Sequence, residues 1–399
     1  MLIAAGDSDA ALAFVEIGAL ILGLALLSRL AGRFGLTAIP LYLMAGLAMG
    51  EGGLVQLDVT LEFFEIAAEI GVLLLLFALG LEYSDAELRD GLKTGLAPGV
   101  ADMTLNALPG VALGFLLGWE PLAAVLLGGV TWISSSGVVS KVLSDLGRLG
   151  FRETPAVLNL LVIEDLAMAV YLPVVAALIV GGSIGTTITS VVIALVTVTV
   201  ILLAALRYGR PFSNLVGGGS DEAFLLMVFG ITLLVAGIAQ RFEVSGAIGA
   251  FLVGLALSGR AEERASELIS PLRDLFAATF FLFFSFQIDP ADLFEAAVPA
   301  LALVVVTTFT KIATGWYAAG RVGAAPKGRI RAGTVLIARG EFSIVIAALG
   351  SELVDGPQLG ALAAGYVLIT AIVGPLATKF ADRIPLPARL MRRRSAVAS

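Results

Sequence analysis

The run Leu160–Pro173, LLVIEDLAMAVYLP, carries two adjacent acids, Glu164 and Asp165, in an otherwise apolar stretch. Ionisable side chains are rare inside such runs, and they face a bundle interior or a water-filled cavity. Both sit about ten residues into the apolar stretch 154–180, near mid-membrane for a helix rising about 1.5 Å per residue. Adjacent helical positions differ by about 100°, so both can line one cavity. Two carboxyls this close resist double ionisation, so a proton is readily held there. The same oxygens are hard ligands suited to an alkali cation. A site that holds either a proton or a cation is the minimal chemistry of a cation/proton exchanger. The competing reading is structural: one acid pairs with a basic residue and holds helices together.

Three further polar groups interrupt apolar runs. TWISSSGVVSK (131–141) contains Thr131, Ser134 and Ser135. Three serines followed by Gly make a poor helix centre. Membrane transporters build ion sites from such breaks, using freed carbonyls and hydroxyls as ligands. A packing face of small residues is the alternative. LIARGEFSIVIA (336–347) places Arg339 and Glu341 around Gly340. That predicts a second mid-span break, with Arg339 and Glu341 either handling ions or bridging each other. Lys311, in TTFTKIATGWY (307–317), lies mid-span and can pair with a carboxylate of the Glu164–Asp165 segment. Snorkelling of its ammonium to an interface is the alternative.

These residues need a membrane scaffold, and the composition supplies one. The 399 residues are 58% hydrophobic and 14% charged, whereas a soluble domain is about half apolar and a quarter charged. There is no Cys and no His. Thiolate sites, disulfides, Ser-His nucleophiles and His relays are thereby excluded, and zinc sites are not expected. Proton chemistry falls to carboxylates, Lys or Tyr. The N-terminus lacks a basic n-region, so no cleaved signal peptide is expected.

Thirteen apolar stretches are read at 10–30, 37–50, 63–82, 94–118, 121–145, 154–180, 184–206, 221–240, 244–259, 271–289, 294–318, 328–351 and 358–381. Of the 25 Lys and Arg residues, all but Arg241, Lys311 and Arg339 then fall in alternate loops or in the C-terminal tail. Basic residues concentrate on the cytoplasmic side, which predicts an outside N-terminus and a cytoplasmic C-terminus. The interrupted stretches, fifth and twelfth, are each the middle of a triplet. An odd offset gives the triplets opposite orientation, which predicts inverted repeats crossing at the ion site.

EIGVLLLLFALGLEYS (69–84), TWISSSGVVSKVLSDL (131–146), VIEDLAMAVYLP (162–173), SPLRDLFAATFFLFFSFQIDP (270–290) and ARGEFSIVIAALG (338–350) together resemble the monovalent cation:proton antiporter-2 (CPA2) family. The likeness is greatest to the KhtU-type K+/H+ antiporter membrane subunits and covers nearly the whole chain. It implies an all-α, NhaA-like fold of about 13 transmembrane helices with two crossed discontinuous helices. Core helices would occupy about 94–180 and 294–381, dimerisation helices about 10–82 and 221–289, and a linker helix about 184–206. The core would move like an elevator. Asp165 would bind the monovalent cation or the proton, with Glu164, Ser134, Ser135 and Thr131 around it. Lys311, Arg339 and Glu341 would be coupling or structural charge partners. Glu164 stands where Kef-type relatives carry Gln and sodium exchangers often carry Asp. Glu164 with Lys311 resembles the acid–lysine pair of two-carboxylate Na+/H+ exchangers. K+ is therefore the first expected cargo and Na+ the second.

The likeness also implies no cofactor, a homodimer in the bacterial cytoplasmic membrane, and a separate soluble regulatory subunit of the TrkA-C type. No C-terminal soluble domain and no nucleic-acid partner are expected. A channel lacks support, since no TVGYG-like filter is present. A sodium-coupled solute symporter, which would need a larger polar cavity, has no more support, and an intramembrane enzyme has less.

Overall fold

The computed structural model describes residues 6–34, 37–50, 61–81, 85–179, 213, 216–241 and 246–383. The expected linker at 184–206 and the basic tail from Arg389 onward lie outside the described residues. The described chain is helical: α1 (Gly6–Arg33), α2 (Ile39–Met49), α3 (Leu61–Leu81), α4 (Asp85–Leu116), α5 (Pro121–Trp132), α6 (Ser136–Asp145), α7 (Thr154–Ile179), α8 (Asp221–Arg241), α9 (Gly246–Ala256), α10 (Arg260–Phe286), α11 (Pro290–Arg321), α12 (Pro326–Val335), α13 (Glu341–Leu349) and α14 (Gly356–Phe380), then a 3-10 turn at Ala381–Arg383. Among the described residues, nine helices are long and apolar enough to cross a membrane. The chain is a multi-pass membrane protein.

Local sequence explains most boundaries. Helices α2, α5, α11, α12 and α14 begin with Pro in their first turn. Proline has no amide proton to lose there, and its fixed φ suits the helix. Asp289 caps α11 by accepting from the Ala291 amide at 2.8 Å. Outward faces stay apolar: Phe14, Leu116, Leu226, Phe294 and Phe309 are exposed, as hydrocarbon facing lipid should be.

Packing falls into two groups. In one, α3 lies along α9 and α10, α2 along α10, and α8 along α9. In the other, α4 packs on α5, α7 and α11, α11 packs on α12 and α14, and α13 packs on α5 and α14. The groups meet through α2 on α14, with lesser contact between α7 and α9 and between α10 and α13. Near that junction, a methyl group on Gly360 of α14 would come within about 4 Å of Phe284 and Ile288.

Helices α11 and α12 touch backbone to backbone. A methyl group at Gly315 would collide with the Cα and amide of Gly333. Backbone cannot yield as a side chain can, so Gly315→Ala should cost about 1–3 kcal/mol. The check is a lower melting temperature in detergent. Gly18→Ala, whose added methyl meets nothing within 4 Å, should leave the melt unchanged.

At one end of the second group, charges tie the elements together. Arg331 of α12 bonds Glu153 at 2.6 Å and Asp382 at 2.7 Å. Arg148, between α6 and α7, reaches Asp382 at 3.0 Å and the Thr378 carbonyl at 2.8 Å. At the opposite end the Glu120 amide donates to Asp355 at 2.8 Å. The basic loop residues of the sequence thus gather at one end of these helices.

Candidate functional site

Both expected helix breaks occur, and they cross. Residues 133–135 separate α5 from α6, with extended backbone at Ile133 (φ −67°, ψ 129°) and Ser135 (φ −83°, ψ 108°). Residues 336–340 separate α12 from α13. The Ser135 amide donates to the Ala338 carbonyl at 2.9 Å, joining the two breaks. A side chain at position 340 would strike Ser135, so glycine lets the two breaks approach.

A broken helix leaves carbonyls at its C-terminal end without partners. Arg339 collects them from both half-helices. Its guanidinium donates to the Thr131 carbonyl at 2.7 and 3.2 Å, and to the Leu336 and Ile337 carbonyls at 2.9 Å each. It also lies 5.8 Å from the Tyr366 ring centroid. A cation between two helix C-termini opposes their negative dipole ends. Glu341 takes the complementary place in the first turn of α13, accepting from the Ser135 hydroxyl at 3.0 Å. The bridge between Arg339 and Glu341 considered from sequence is replaced by these contacts. Each charge serves a helix end instead.

Glu164 and Asp165 point to different surroundings. Glu164 is fully buried. It accepts from the Ser134 amide, from the Ser134 hydroxyl at 3.1 Å, and from Lys311 Nζ at 2.9 Å. Asp165 accepts from the Ser136 hydroxyl at 3.1 Å. It lines a cavity of about 630 Å³ bounded by α3, α6, α7 and α10, with Ser140, Leu158, Glu263 and Glu267 in its walls. The expectation that both acids line one cavity therefore needs correction. The roughly 100° step between neighbours sends Asp165 to the cavity and Glu164 to Lys311.

Of the three hydroxyl residues expected around Asp165, two meet an acid elsewhere, Ser134 on Glu164 and Ser135 on Glu341. Thr131 does not: its hydroxyl donates to the Asn106 and Gly128 carbonyls at 2.8 and 3.1 Å, and its carbonyl is bound by Arg339. Ser136, at the start of α6, is the hydroxyl that reaches Asp165.

Sequence reasoning placed a span at α4 but missed its buried acid. Asp102 is fully buried there and takes Lys311 Nζ on both oxygens, at 2.8 and 2.9 Å. It also accepts from Asn106 Nδ2 and Thr314 Oγ1, each at 2.9 Å. The signal was present, since Asp102 is an ionisable residue within the apolar stretch 94–118.

A model of the transmembrane region of sodium/hydrogen exchangers matches residues 18–381. The chain belongs to the sodium/hydrogen exchanger family. It is a cation/proton antiporter, a transporter and not an enzyme. Among relatives, the K(+)/H(+) antiporter subunit KhtU of Bacillus subtilis is 36% identical, over 92% of this chain and 93% of its own. The ammonium/H(+) antiporter subunit AmhT of Alkalihalophilus pseudofirmus is 30% identical over 87% of each chain. The sodium proton antiporter MjNhaP1 from Methanocaldococcus jannaschii superposes with a TM-score of 0.69, at 15% identity, over 93% of this chain and 98% of its own. The exchanger therefore has the NhaA-like fold expected of it, and its membership of the cation/proton antiporters agrees with the motifs.

Proposed function

We propose that this exchanger exports a monovalent cation, K+ in the first instance, in exchange for H+, and that Asp165 holds the two in turn. The observation that carries this reading is the location of Asp165: an acid 4% exposed facing a cavity between the two helix groups. Deprotonated Asp165 takes a cation from that cavity; a proton arriving on it releases the cation. Because the two ligands exclude one another, the fluxes are coupled. Ser136 donates to Asp165 at 3.1 Å, while Ser134 and Ser135 sit at the crossing on Glu164 and Glu341. Glu164 tunes the pH dependence, and Arg339 and Glu341 neutralise the half-helix ends.

The packing supports α4–α7 and α11–α14 as the moving core, and α1–α3 with α8–α10 as a dimerising scaffold. The cavity lies where the two meet, as elevator-type alternating access needs. It runs toward the N-terminal half of α7, the end where Arg148 and Arg331 gather. Taking that end as cytoplasmic makes this an inward-open arrangement, with the N-terminus outside, in a bacterial cytoplasmic membrane. KhtU and AmhT are each called a subunit. That supports a further subunit, which in this reading is a soluble partner of TrkA-C type at the cytoplasmic face.

K+ as cargo rests on the likeness to KhtU. Na+ is the second reading, favoured by the Glu164–Lys311 pair at 2.9 Å. Proteoliposomes with an interior pH dye, pulsed with K+ and then Na+, separate them. A K+-triggered pH change supports the first reading, and a response to Na+ alone replaces it with the second. No response to either, with and without the partner subunit, overturns both.

A further inference from the structure

Lys311 has two carboxylates where a simple acid–lysine pair has one. Its ammonium donates twice to Asp102 and once to Glu164, which uses all three of its protons. All three side chains are 0% exposed. Their ionised charges sum to one negative, where a lone pair would be neutral. The partners are also unequal. Asp102 receives four donated bonds, from Lys311, Asn106 and Thr314. Asn106 is itself fixed, accepting from Thr310 at 2.7 Å and donating to the Asp102 carbonyl at 2.9 Å. Every one of these donors is aimed at an Asp102 carboxylate oxygen. None of them lies on α7.

We infer that Asp102 is a resident counter-ion for Lys311, a positioning residue that keeps the ammonium charged through the transport cycle and so leaves Glu164 able to gain and lose its own partners. With one carboxylate alone, protonating Glu164 would strand a buried ammonium, at high cost. With Asp102 present, Lys311 keeps a two-oxygen partner whatever Glu164 does. The charged groups facing this cluster are Lys311 from α11 and Glu164 from α7, next to Asp165. From α5 the neighbour is the Thr131 hydroxyl, and Arg339 lies beyond it on the Thr131 carbonyl. The inference rests on the proposed reading in which Asp165 is the exchanging acid and Glu164 beside it tunes the pH dependence.

The test is the pH profile of exchange in proteoliposomes for wild type, Asp102→Asn, Asp102→Glu and Asp165→Asn. Asn preserves the shape of Asp102 and one acceptor oxygen but removes the charge. Loss of a nearby negative charge makes every coupled proton harder to hold, so the profile of Asp102→Asn should move acid by about one pH unit or more. Asp102→Glu, which keeps the charge, should restore the wild-type midpoint. A uniform fall in rate with an unmoved midpoint overturns the inference and leaves Asp102 a structural residue. Exchange that survives Asp165→Asn overturns the parent reading instead. A second measurement reads Asp102 itself. In Glu164→Gln/Asp165→Asn, infrared difference spectra across the working pH range should show no carboxyl band that depends on Asp102. A protonated-carboxyl band that appears there and vanishes when Asp102→Asn is added means that Asp102 itself titrates, and overturns the inference.

Discussion

Asp165→Asn will reduce cation-triggered proton movement to the background of empty vesicles. The amide matches the carboxylate in shape and can still accept from Ser136. It cannot ionise, so it offers a cation no counter-charge and a proton no place to stay. A merely weakened site would show a higher half-saturating cation concentration with an unchanged maximum. The exchange reading requires the maximum itself to vanish. Folding should hold, because removing an ionisable group from a buried position relieves its desolvation. A monodisperse, inactive protein is the expected result, and exchange at the wild-type rate would put the ion site elsewhere. Glu164→Gln should behave differently. Lys311 retains Asp102, so transport should persist in part with an altered pH dependence. An unchanged rate and profile would make Glu164 structural.

Lys311→Met should be the most damaging single change to the fold. The side chain is fully buried, and its ammonium is shared by Asp102 and Glu164. Methionine fills similar volume but leaves two carboxyls in a low-dielectric core without their cation. Breaking a buried ion pair from one side costs about 3–5 kcal/mol. The measurement is thermal unfolding in detergent as a function of pH. Protons can replace the missing positive charge, so the deficit should shrink as the pH falls. A deficit independent of pH would mean that packing, not charge, explains the loss.

Much of this molecule was legible in its residues. Apolar stretches gave the helices because lipid tolerates few other backbone arrangements. SSSG and ARGE marked the breaks because small and charged residues are poor helix centres there. Lys311 found its acid because a mid-span ammonium has few alternatives. Other features were not legible. The turn of Glu164 away from Asp165 depends on which face of α7 meets α4 and α11, and a one-dimensional pattern does not carry that. The same tertiary packing assigned Arg339 to carbonyls rather than to Glu341, two residues away. Asp102 was overlooked for a different reason. It sits singly in a run with Thr104 and Asn106, without the doubled acid that drew attention to α7.

The junction near Gly360 has a mechanical consequence. There α14 meets Phe284 and Ile288, within a shared hydrocarbon cluster that includes Leu43, Leu126 and Leu359. Hydrocarbon contact has no preferred direction, and its strength follows area alone. A displacement along such a surface swaps one oily neighbour for another and leaves the area nearly constant. In the elevator movement proposed above, this junction would act as a bearing, with little friction of its own. The resistance that sets the pace would then lie in carrying charge past it, and the bound ion would be what lightens that load.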